Sequence, residues 1–289
     1  MSELQELCCD AIRQQIDRLQ RGEEDLRVPV LQQAFVPVSG KHFHFAPELF
    51  IQLSGLSVME FPKECCRAYA DSILLIPKGV PHRETAKHYK GRFHNLVFEF
   101  GRYTLSVHDA VRQQGDRPSV QRAEQYEVAN IENMKLYLAD AAEALHAGTA
   151  SGLIKARGLM LAQLAALLDA MEGRGSRETG ESFRVVHCRR IIRQQLSKSD
   201  LSVQWIAAAM SCSADYLSNR FHHEAGVTLT TYINEQRIAL AMDLLKTSML
   251  TVSEIAFAAG YASPGYFSRR FKRATGMTAR ELRQTAVSR

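Results

Sequence analysis

Apolar positions change period several times along this chain. Between residues 2 and 21, Leu4, Leu7, Ala11, Ile12, Ile16 and Leu19 recur at the spacing of one helix face, an apolar stripe suited to packing on the domain that follows. From residue 28 to about 107 the apolar residues gather in short runs at 49–53, 57–61, 72–76 and 94–100, divided by turn residues. That spacing predicts strands of a small β-barrel or double-stranded roll. Helical spacing returns over 131–146 and 153–171, where Met160, Leu161, Leu164, Leu167 and Leu168 make a face wider than one stripe and so call for more than one neighbour. Residues 173–182, rich in Gly, Ser and charge, read as a polar linker.

The last hundred or so residues carry helix punctuation. Ser202 can cap a helix running to Met210, and after a break around Ser211-Cys212, Ser213 can cap a second ending near Gly226. Residues 230–246 hold no Gly or Pro and read as one helix of about 25 Å. Thr251 and Glu254 form a capping-box pattern, Gly260-Tyr261 supplies a turn, and Ser263-Pro264 gives an N-cap followed by proline at the first helical position.

These two helix pairs are copies of one another. Sliding residues 216–228 onto 266–278 matches Tyr216/Tyr266, Ser218/Ser268, Arg220/Arg270, Phe221/Phe271, Gly226/Gly276 and Thr228/Thr278. Two helices joined by a short turn match the helix-turn-helix, whose second helix can enter the major groove of DNA. The buried face of each pair is expected at Ile206, Met210, Leu217 and Phe221, and at Ile255, Ala259, Phe267 and Phe271. Asp215, Ser218, Asn219 and His222 in one copy, and Gly265, Ser268, Arg269, Lys272 and Arg273 in the other, are left to hydrogen-bond base edges or phosphates.

Charge agrees with that division. Residues 183–289 carry fifteen Lys and Arg against seven Asp and Glu, a balance of +8, while the whole chain is +5. The length of 289 residues suits two domains, and no run of about eighteen uninterrupted apolar residues suggests a membrane span. A soluble, cytoplasmic protein without a signal peptide is expected. Cys8-Cys9, Cys65-Cys66, Cys188 and Cys212 show neither a disulfide framework nor a C-x-x-C motif, so reduced structural thiols are expected.

Residues 183 to about 285 resemble the DNA-binding domain of the AraC/XylS family, most closely in Ile255-Ala-Phe-Ala-Ala-Gly-Tyr and the following Ser-Pro-Gly-Tyr-Phe-Ser-Arg-Arg-Phe-Lys-Arg-Ala-Thr-Gly-Met-Thr. The resemblance implies a sequence-specific transcriptional regulator, an activator by preference. It puts Arg269 and Ser268 forward as base readers, and Arg237 in the connecting helix as a brace or a phosphate contact. Two further strings, His42-Phe-His44-Phe-Ala-Pro-Glu48 with Gly55 downstream, and residues 71–82 ending in His82, resemble the two cupin motifs. The expected fold is therefore α+β: a cupin-like sensor and helical dimerisation segment over 1–172, a linker over 173–182, and an all-α domain with two helix-turn-helix units over 183–289. Expected partners are double-stranded DNA, a small-molecule effector of unknown identity, a second copy of the chain and RNA polymerase, with no membrane, no cofactor and no catalytic residue. His42, His44, Glu48 and His82 are expected to line the effector pocket without a metal. The alternative implied by cupin enzymes is a metal, such as iron, manganese or nickel, held by those four residues in an enzyme with a regulatory DNA-binding tail.

Overall fold

The computed structural model describes residues 2–30, 38, 41–101, 104–112, 115–174 and 176–287. It divides into two compact units, Met1–Val186 and His187–Arg289.

The first unit opens with α1 (Glu3–Arg21), delimited by a capping box between Ser2 and Gln5 and by Gly22 at φ 75°. There follow β1 (Asp25–Arg27), β2 (Glu48–Ser54), β3 (Leu56–Glu60), β4 (Cys65–Tyr69), β5 (Ser72–Ile76), β6 (Arg83–Lys87), β7 (His94–Phe100), β8 (Thr104–Arg112), β9 (Pro118–Val128), α2 (Ile131–His146), α3 (Ala150–Met171) and β10 (Ser176–Glu178). The strands form a seven-stranded sheet, β1-β5-β2-β7-β8-β9-β10, and a three-stranded sheet, β4-β3-β6. Every apolar run expected to be a strand is one.

Strand alternation sorts the large sheet into two faces. Leu49, Ile51, Ile73, Leu75, Leu96, Phe98, Phe100, Leu105 and Val107 share a core with α1, α2 and α3. The alternate positions Phe50, Leu74, Ile76 and Val97 pack instead with Met59, Phe61 and Val80 in a smaller core between the sheets.

Two expectations change here. The 173–182 linker is partly built into the fold: β10 pairs antiparallel with β9, Ser176 opposite Val128, because β9 would otherwise present an unpaired edge. Gly175, within that linker, lies outside the described residues. The leucine-rich face of α3 is also largely consumed, since Met160, Leu164 and Leu167 are buried in the unit's own core with α1 and α2. α3 is long and apolar enough by composition to cross a membrane; Met160, Leu164 and Leu167 are core, while Leu153 and Ile154 are exposed.

The second unit spans most of α4 (Phe183–Gln195), then α5 (Val203–Ala209), α6 (Ala214–Ala225), α7 (Leu229–Thr247), α8 (Val252–Ala258), α9 (Pro264–Thr275) and α10 (Ala279–Val287). Ser202, Ser213, Thr228, Thr251 and Ser263 each cap the helix that follows by accepting a backbone N–H. Gly226 and Gly276 close α6 and α9 in the left-handed region.

Asp109 of β8 is buried, and it accepts from Arg122 Nη2 at 2.6 Å, Arg122 Nε at 3.1 Å, the Arg122 backbone N–H at 2.8 Å and His94 Nε2 at 3.1 Å. Burial pushes its carboxyl up, but the hydrogen bonds from His94 and Arg122 outweigh that and hold it down at about 2, against an ordinary 3.8. A depressed carboxyl stabilises the fold above its unfolded value and loses that contribution as pH falls through the folded one. The stability gap between wild type and Asp109→Asn should therefore narrow as pH drops from about 5 to about 2, measured by urea unfolding followed by circular dichroism.

Candidate functional site

The repeated helix pairs α5–α6 and α8–α9 bury the same positions. Ile206, Leu217 and Phe221 are buried in one, and Ile255, Ala259, Phe267 and Phe271 in the other, while Met210 is half-buried. With those faces turned inward, Asp215, Asn219, His222, Gly265, Ser268, Arg269, Lys272 and Arg273 are exposed and Ser218 is half-buried. The Ser268 hydroxyl donates to the Pro264 carbonyl at 2.9 Å, which leaves its oxygen as an acceptor.

The two exposed helices differ in charge. α9 carries Arg269, Arg270, Lys272 and Arg273 and no acid, whereas α6 sets Asp215 and Glu224 against Arg220, which is itself paired with Glu224. α9 thus offers phosphate attraction as well as base-edge donors, and α6 offers mainly neutral hydrogen-bonding groups. Tyr216 and Tyr266, one repeat apart, are also exposed, a pair visible in the repeat but not singled out by its polar pattern.

Arg237 is not on this surface. It is 9% exposed, and its guanidinium donates to the Leu196 carbonyl at 3.3 Å and the Lys198 carbonyl at 2.6 Å and lies 5.7 Å from the centre of the Tyr261 ring. Of the two roles expected of it, brace or phosphate contact, its contacts are those of a brace joining α7 to the α4–α5 connection and to the turn after α8. Gly260, at φ 78°, is required beside it: a Cβ there would meet the Leu196 carbonyl and stand 2.9 Å from Arg237 Nε. At the other end of α7, the Arg189 guanidinium lies 4.4 Å from the ring centre of Tyr232 in α7 and 5.1 Å from that of Phe221 in α6. The sequence pattern did not single out Arg189, because its partners come from two other helices.

The first unit holds a second group of predicted residues, and the fold brings them together. His42 and His82 form an isolated antiparallel bridge, His42 N donating to His82 O at 2.9 Å and His82 N to His42 O at 2.7 Å. Gly79 N donates to His44 O at 2.7 Å, so the turn after β5 is pinned to the segment before β2. Glu48 Oε2 is 3.4 Å from His44 Nε2 and 3.6 Å from His82 Nε2, with all three side chains buried. The His82 Nδ1–H donates to the Val80 carbonyl at 3.0 Å, which leaves Nε2 as a lone-pair donor facing Glu48. Burial, with neighbouring His42 contributing, pushes the His82 imidazole down to about 3, so it is neutral.

The ligand atoms of His42, His44 and His82 lie within 4.8 Å of one another, as do those of His44, Glu48 and Glu99. Imidazoles and carboxylates converging in this way, one imidazole oriented by a backbone carbonyl, fit a divalent transition metal. Glu99 was not among the expected residues. It reaches the cluster only through strand register, opposite Glu48 in the β2–β7 pair.

Residues 206–285 match a family model described as a helix-turn-helix domain. The chain is 37% identical over 98 residues to the uncharacterized transcriptional regulatory protein YesN of Bacillus subtilis, covering 33% of this chain and 27% of that one. It is 34% identical over 86 residues to the HTH-type transcriptional activator RhaR of Escherichia coli K12, covering 30% of each. The matched segment is thus less than a third of each of these relatives. Among solved structures, the C-terminal domain of AraT, a response regulator from Geobacillus stearothermophilus, is similar at 32% identity with a TM-score of 0.36, covering 37% of this chain and 88% of that one. Residues 206–285 thus match a helix-turn-helix domain, and the relatives similar over this region are described as transcription regulators.

Removing the brace should loosen that domain. Arg237→Ala takes this donor from the buried Leu196 carbonyl and removes the bond to the Lys198 carbonyl, an expected loss of about 1 to 3 kcal/mol. The single tryptophan, Trp205, sits in α5, so urea unfolding followed by its fluorescence reads this unit directly.

Proposed function

We propose that this chain is a sequence-specific transcriptional regulator, an activator by preference, that reads two adjacent major-groove segments with α6 and α9 and receives an effector in its first unit. The observation that carries the DNA reading is the matched pair of exposed helix faces joined by a braced α7. That helix is about 28 Å long at 1.5 Å per residue, and successive groove faces on one side of B-DNA repeat about every 34 Å. Arg269 and Ser268 are the leading base readers, Lys272 and Arg273 the leading phosphate contacts, and Asn219, Ser218, Asp215 and His222 supply the readout of the first helix pair.

Effector reception is supported by the polar cluster at His42, His44, Glu48 and His82, held between the sheets of a cupin-like fold. A homodimer is supported by exposed Leu136 of α2 and Leu153 and Ile154 of α3, and RNA polymerase is the expected partner of an activator. The same cluster favours a second reading, a metal-dependent enzyme with a DNA-binding tail, in which a bound metal would act as a Lewis acid. In that reading His42, His44, Glu48 and His82 would hold the ion, and the Val80 carbonyl orients His82.

Selection from a random duplex library at moderate salt should recover two short motifs about one helical turn apart. On that site Arg269→Ala should cost about 1 to 3 kcal/mol and relax sequence preference at one position. Equal weakening on all sequences would make Arg269 a phosphate contact, and recovery of no motif would count against the regulator reading.

A further inference from the structure

Toward the opposite end of β2 from Glu48, Gln52 stands directly across from Asn95 of β7, and strand alternation turns both toward the space between the sheets, on the side of Phe50 and Val97. Gln52 is 1% exposed and Asn95 0%. Groups that only accept orient both amides: Gln52 Nε2 donates to the Ser54 carbonyl at 2.6 Å and the His94 carbonyl at 3.3 Å, and Asn95 Nδ2 donates to Glu84 Oε1 at 2.8 Å. The Ser57 hydroxyl donates to the same Glu84 oxygen. Those bonds distinguish oxygen from nitrogen in each amide, and neither Gln52 Oε1 nor Asn95 Oδ1 has a donor among the described residues. A register shift between Gln52 and Ser54 interrupts the β2–β7 pairing at this point, the kind of irregularity that re-aims a side chain. Buried acceptors without donors are costly and uncommon in native folds, and here two face the same space from opposed strand positions.

We infer that Gln52 Oε1 and Asn95 Oδ1 receive a primary ammonium group of a small organic molecule. This deepens the effector reading of the first unit and rests on it. The balance of donors and acceptors sets the ligand class. A hydroxyl or a water brings acceptor lone pairs along with its protons, and both N–H groups of Gln52 and the Ser57 hydroxyl are already committed as donors. An ammonium offers three donors and no acceptor, so it meets both oxygens and leaves nothing of its own unpaired. It is also compact, with freely rotating donors, where a guanidinium demands a planar fork of acceptors.

The test uses the full chain. Putrescine and ethanolamine should each raise the thermal unfolding midpoint more than their neutral isosteres 1,4-butanediol and ethylene glycol, and tetramethylammonium, which has the charge without an N–H, should leave it unchanged. Gln52→Met and Asn95→Leu each remove one acceptor at similar volume and should weaken putrescine binding about 10-fold or more by calorimetry. Gln52→Glu keeps an oxygen in place and should bind putrescine at least as tightly as wild type, which guards against variants that merely misfold. No shift with either ammonium compound, equal shifts with the neutral isosteres, or putrescine affinity unchanged in both Gln52→Met and Asn95→Leu would overturn the assignment. A neutral sugar that binds and alters operator affinity where putrescine does not bind would overturn the ammonium class and leave the effector reading standing. Putrescine binding without any change in operator affinity would uphold the ammonium site and count against the effector reading.

Discussion

The helix-turn-helix unit depends on two buried or stacked guanidinium groups that lock α7 in place. Arg189 lies against Tyr232 and Phe221, and Arg237 bridges the Leu196 and Lys198 carbonyls beside Tyr261. Burial lowers the pKa of Arg237, yet a guanidinium stays charged in a protein, so its charge has to be met by fixed acceptors. That requirement is what holds α7 to both repeats. A second helix-turn-helix tethered by a flexible segment would present the same side chains without a set distance between them.

The first unit separates two kinds of surface on the two faces of one sheet. One face is apolar and buried under α1, α2 and α3. The other mixes a small apolar core with the buried His44, Glu48, His82 and Glu99. The backbone bridge between His42 and His82 brings imidazoles from two distant stretches of chain within reach of Glu48 before any ligand arrives. Such preorganisation is what a binding site needs, since it removes much of the ordering cost from the binding step.

Much of this was legible beforehand because it is local. Caps at Ser202, Ser213, Thr251 and Ser263, the glycines closing α6 and α9, and the apolar runs of β2, β3, β5 and β7 are short-range signals, and all appear in the structure. What the sequence left open or hid depends on pairing across the fold. Arg237 was expected as a brace or a phosphate contact, and only the Leu196 and Lys198 carbonyls single out the brace. Glu99 sits in an apolar strand run with no motif around it, and only the register with Glu48 brings it to the cluster. Residues 176–178 have a linker's composition but complete a sheet edge, and Met160, Leu164 and Leu167 of α3 face core while Leu153 is exposed.

The central claim is that one chain reads two groove segments at a distance set by α7. The direct measurement is affinity for the selected operator as base pairs are inserted between its two motifs. A rigid spacer predicts that about five inserted base pairs, half a turn, remove most of the specific affinity and that about ten, a full turn, do not restore it. Affinity indifferent to spacing, or recovered at each full turn, would contradict the account.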